Sequence, residues 1–73
     1  MNRYIKIQFL KNGIPTGGTY VYKTSLDVQL GETVMVTEKV KGIVAGFEVI
    51  SNIPKPETIK EIYGQIERQD MNG

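Results

Sequence analysis

The chain has 73 residues and a formal net charge of +1, enough for one small domain and too little positive charge for a dedicated polyanion binder driven by phosphate neutralisation. It contains no cysteine and no histidine, so no disulfide can form and the usual zinc ligands are missing. The opening residues Met1-Asn2-Arg3-Tyr4-Ile5-Lys6 lack the apolar run of a signal peptide, and no stretch approaches the roughly 20 apolar residues of a membrane span.

A soluble, cytoplasmic domain over residues 1–68, followed by a frayed tail at 69–73, is therefore expected. Near the start, Ile5, Ile7 and Phe9 alternate with Lys6 and Gln8, the pattern of a half-buried antiparallel strand, placed at 3–10. Lys11-Asn12-Gly13 is a turn signal, and Pro15 with Gly17-Gly18 extends it into a mobile loop. The β-branched and aromatic run Thr19-Tyr20-Val21-Tyr22-Lys23-Thr24 reads as a second strand at 18–24, hairpinned to the first. The following stretch is too irregular for a helix, and Leu26, Val28 and Leu30 are expected to tuck under the sheet.

The chain is organised around Leu30-Gly31-Glu32-Thr33-Val34-Met35-Val36. Glycine can take the positive φ that a tight turn needs, so Gly31 can end one extended segment and launch the next. After it, Val34 and Val36 share one face of a strand at 32–38, with Thr33, Met35 and Thr37 on the other. A charged loop, Glu38-Lys39-Val40-Lys41-Gly42, leads to a long apolar strand at 42–50. Gly46 lies inside that strand, where a glycine marks a bulge or a bend. Pro54 and Pro56 then break the sheet, because proline cannot donate a ladder hydrogen bond.

Two local readings compete for the last element. Thr58-Ile59-Lys60-Glu61 has the spacing of a capping box, and Ile59, Ile62, Tyr63 and Ile66 fall on one helical face. Against a helix, Gly64 sits inside the segment, and Ile62, Gly64 and Ile66 alternate equally well with Tyr63 and Gln65.

Four collinear blocks bear on that choice: Tyr20-Val21-Tyr22, Leu30 to Val36, Gly42-Ile43-Val44, and Ile53-Pro54 through Thr58-Ile59-Lys60-Glu61-Ile62. In order and spacing they resemble the small N-terminal barrel of the bacterial primosomal replication-restart helicases, which captures DNA 3′ ends. Short proteins of phages and mobile elements have a similar pattern. The resemblance implies an all-β, SH3-like, five-stranded antiparallel barrel whose last strand, at 59–67, closes an otherwise exposed edge. It does not carry over the 3′-end pocket, since the family's pocket aspartate aligns with Val21, and no counterpart of the helicase motor domains is expected within these 73 residues.

For chemistry the sequence offers little. Ser25 and Ser51 have no credible base nearby, and Gly13, Gly17 and Gly18 are not followed by a phosphate-loop helix. A non-enzyme without cofactor or metal is expected. Tyr20 and Tyr22 share a strand face, where they either stack bases as a platform or serve the core. Lys11, Lys23, Lys39 and Lys41 either line a groove for phosphates or are simply solvated. Two functional classes follow: an accessory module of replication or mobile-element biology that binds single-stranded DNA or RNA weakly, and an assembly subunit that pairs with another protein or with itself. The second would use a sheet edge or the apolar face around Met35.

Overall fold

The structure, a computed structural model, describes residues 3–65. Its strands are β1 (Arg3–Lys11), β2 (Ile14–Thr24), β3 (Thr33–Met35), β4 (Lys41–Glu48) and β5 (Gly64–Gln65), in one antiparallel sheet of order β2-β1-β4-β3-β5. The all-β reading and the strand count stand, but the sheet is not closed into a barrel. Among the described residues its two sides are tied at one point. Lys23 of β2 donates its N–H to the Lys60 carbonyl at 2.9 Å and accepts from Ile62 N–H at 3.0 Å, a single parallel bridge just ahead of β5.

Asn12 and Gly13 both adopt positive φ, 55° and 80°, the conformation of a type I′ hairpin turn. The turn is therefore tight, and the mobile loop expected at Pro15 to Gly18 is instead the first part of β2, paired through Lys11 with Ile14 and Leu10 with Pro15. Pro15 is tolerated because β2 is an edge strand. Gly17 and Gly18 are accommodated by a register break between Gln8 and Phe9, and the Gln8 side-chain amide donates to the Gly17 carbonyl at 2.8 Å.

Ile5, Ile7, Val28, Val34, Val36, Val44 and Ile62 form the core. The strand alternation put Ile5, Ile7, Val34 and Val36 there. Phe9, expected with them, is only half-buried and packs against the core from outside, and of the three residues expected under the sheet only Val28 is enclosed, while Leu26 and Leu30 stay exposed. Gly31 takes φ +87° and donates its N–H to the Val44 carbonyl at 2.8 Å, so this turn docks on β4 as well as starting β3.

β3 is shorter than 32–38 because the chain turns at Thr37. Val36 N–H reaches the Val40 carbonyl at 2.7 Å, and the Thr37 hydroxyl accepts from Lys39 and Val40 N–H at 3.2 and 3.1 Å. β4 ends at Glu48 and is followed by a 3₁₀ turn, Ile50–Asn52. Its bulge is at Ala45, one residue before Gly46, where Lys6 pairs with Gly46 and Ile7 with Val44.

The described part of the last element is extended, with no α-helix. A 3₁₀ turn spans Pro56–Thr58, and Thr58 Oγ1 donates back to the Lys55 carbonyl at 2.7 Å rather than capping a helix. Among the described residues, Gly64 and Gln65 form β5. Residues 66–67 of the expected strand and the tail at 69–73 lie outside the described residues.

Candidate nucleic-acid interface

The type I′ turn directs the β1/β2 hairpin tip toward the loop that Thr37 folds. Between them lies a cleft of about 360 Å³ lined by Leu10, Asn12, Gly13, Lys39, Val40 and Lys41. Lys11 falls between two of these lining residues in sequence, and it is exposed, as are Lys39 and Lys41. The cleft brings two segments that are far apart in sequence into one basic patch, and among the described residues no acidic side chain lines it. Among the described residues the ion pairs are Arg3 with Asp27 and Lys6 with Glu48, each at 3.4 Å, so the candidate lysines have no carboxylate partner there.

The other candidates lie elsewhere. Tyr22 pairs with Ile5 and Tyr20 with Ile7, which puts both rings on the core-side face of β2. Tyr22 is half-buried and meets Phe9 edge-on at 6.3 Å, serving the core. Tyr20 leans on Phe9 at 5.3 Å but is 57% exposed. Together with Val21, Thr58, Ile59 and Lys60 these tyrosines line a separate groove of about 370 Å³. Lys23 follows Tyr22 on the opposite face, and its backbone is taken by residues 60 and 62. The structure thus joins Lys39 and Lys41 to the hairpin tip and leaves Tyr20, Tyr22 and Lys23 outside that cleft.

A third surface escaped the sequence reading. Arg3 lies 4.8 Å from the centre of the Phe47 ring, and Arg3, Tyr4, Phe47, Glu48, Val49 and Ile50 line a hollow of about 440 Å³. The alternation of β1 and β4 contains the signal in principle, but the pairing of their ends, Tyr4 with Glu48, is what assembles it. Glu48 also holds the polypeptide after β4. Its carboxylate accepts from the Asn52 amide at 2.8 Å, which with Lys6 and the Val49 N–H holds its pKa below the usual 4.5 against a smaller opposing effect of desolvation.

Among the described residues no three His, Cys, Asp or Glu side chains cluster as a metal site, and no helix is long and apolar enough to cross a membrane. No family model, no curated protein and no solved structure matches the chain.

Proposed function

We propose that this protein is a small non-catalytic module that binds nucleic acid weakly through the hairpin-tip cleft. The observation that carries the reading is the Lys39/Lys41 pair beside the Asn12-Gly13 turn, in a lining that among the described residues holds no acidic side chain. Phosphate oxygens are the ligand such a patch suits: lysine ammonium groups supply charge without base specificity, and the turn contributes backbone next to them. A net charge of +1 keeps the expected affinity low and sensitive to salt.

The same reading takes the sheet as a variant of the SH3-like barrel, with the Lys23 bridge as its closing contact, and a cytoplasmic role in replication or on a mobile element. The resemblance to the primosomal barrel supports both. In that comparison the acidic 3′-end pocket is replaced by Val21, so the module would hold the backbone of a strand rather than its terminus.

Fluorescence anisotropy with labelled single- and double-stranded oligonucleotides tests the proposal. With Lys11, Lys39 and Lys41 as the contacts, log K against log salt for a single strand has a slope of about −2, reduced by about 0.7 for each lysine changed to alanine. Absence of salt-dependent binding at tens of micromolar discards the reading.

A further inference from the structure

We infer that the free edge of β2 is a dimerisation edge, and that a second copy of this chain pairs with it antiparallel about a two-fold axis through Tyr20. This goes beyond the nucleic-acid reading and uses none of the hairpin-tip lysines.

The hydrogen-bond pattern identifies which groups are open. Lys23 sends both its N–H and its C=O away from β1, to Lys60 and Ile62. Backbone direction alternates along a strand, so Val21 and Thr19 face the same free edge, and among the described residues neither makes a backbone bond there. Natural edges are shielded by charge, proline or a bulge. Here Pro15 and the irregularity at Gly17-Gly18 shield the tip half of β2, while Thr19 to Tyr22 has no such device and no charged residue.

The two-fold register centred on Tyr20 pairs the two open residues with each other, whereas centring on Val21 would set Thr19 against Lys23, whose edge is already occupied, and centring on Thr19 would set Val21 against Gly17. With Tyr20 facing its own copy, Thr19 of each chain lies opposite Val21 of the other, and each pair exchanges both of its N–H···O=C bonds. Tyr20, which is 57% exposed and backed by the Phe9 ring, then meets the second copy's Tyr20 across a non-hydrogen-bonded position, where side chains approach most closely.

The next position outward places Tyr22 opposite the second copy's Gly18. There the incoming strand enters the groove between β2 and residues 58–60. The ladder cannot continue to Lys23, whose edge the bridge to Glu61 occupies, so the entering segment has to be slim. Gly18 meets that need. Within one copy nothing requires a glycine at this position: its φ is not in the left-handed range, and a Cβ there meets no atom within 4 Å. A second copy supplies the missing reason, in the way that a glycine facing an aromatic ring across a strand pair is covered by it. The edge at the opposite side of the sheet belongs to a different strand, so pairing of β2 with β2 closes on itself as a dimer instead of growing into a fibre.

Sedimentation equilibrium over a concentration series tests this, with circular dichroism to follow the fold. The wild-type chain is expected to approach twice 8.2 kDa. Val21→Pro removes an N–H that points to solvent in one copy, as proline at an edge allows, and is expected to weaken dimerisation about tenfold or more with an unchanged spectrum. Gly18→Val adds a side chain whose Cβ meets nothing within 4 Å in one copy and which the groove of the second copy blocks, and is expected to leave a monomer. A wild-type chain that stays monomeric up to about 1 mM overturns the proposal. So does a dimer that survives in folded Gly18→Val, whatever the proline variant does.

Discussion

Gly42 is the most crowded of the described glycines, and a methyl group placed there has a calculable consequence. The residue is buried where β4 passes between β1 and β3, paired with Phe9 on one side and Val34 on the other. A Cβ at this position would lie 2.5 Å from Ile7 Cγ2, 2.9 Å from Val36 Cγ2 and 3.3 Å from the Gln8 carbonyl oxygen. Carbon atoms prefer separations near 3.5–4.0 Å, so Gly42→Ala forces two core side chains and their strands apart. Overpacking of this kind costs about 1–3 kcal/mol, and the two close contacts argue for the upper half of that range. For a domain of this size each kcal/mol moves Tm by roughly 4–8 °C, so a fall of about 8 °C or more is expected. Urea unfolding should show a lower midpoint with the same m value. Ile7→Leu removes the offending Cγ2 branch at nearly constant volume, and the double variant should recover at least about 0.5 kcal/mol relative to additivity. A Gly42→Ala protein as stable as wild type, or a strictly additive double variant, refutes the close approach. Gly64→Ala, where a Cβ meets nothing within 4 Å, is the control and should stay within about 0.5 kcal/mol of wild type.

Three further outcomes are expected. Thr24 is fully buried and its hydroxyl accepts from Leu26 N–H at 3.0 Å; Thr24→Val keeps the shape and strands that donor, costing about 1–2 kcal/mol in chemical denaturation, while Thr24→Ser retains the bond. Gly31→Ala places a Cβ at φ +87° and should cost about 1–2 kcal/mol through backbone strain alone, since no atom crowds the site. Because the folded-state pKa of Glu48 is depressed, first by Asn52 and then by Lys6 and Val49, its stabilising effect is complete above the ordinary value of 4.5 and is lost as pH falls through the lower folded value. Glu48→Gln should therefore flatten the acid limb of a Tm-against-pH curve, and an unchanged limb would show that the carboxylate contacts do not persist in solution.

What the amino-acid order determined by itself is local and periodic. Alternation assigned Ile5, Ile7, Val34 and Val36 to the core because a strand places successive side chains on opposite faces whatever its neighbours are. Gly31 could be recognised as a turn because its special backbone geometry is a property of the residue. Tertiary structure decided whatever required residues far apart in the chain to meet. The segment after Pro56 has a helix-start pattern as good as its strand pattern, and it is extended because Ile62 is buried in the core while its own N–H bonds to the Lys23 carbonyl and that of Tyr63 to the Val36 carbonyl. Neither partner can be read from the segment itself. The same holds for Phe9, Leu26 and Leu30, whose exposure depends on how far the sheet wraps. It holds too for the basic cleft: the lysines were visible as residues, but the tight Asn12-Gly13 turn and the Thr37 loop determined which of them share a surface. Periodicity reports which way a side chain leaves its own strand, whereas burial and grouping depend on what arrives from elsewhere to cover it.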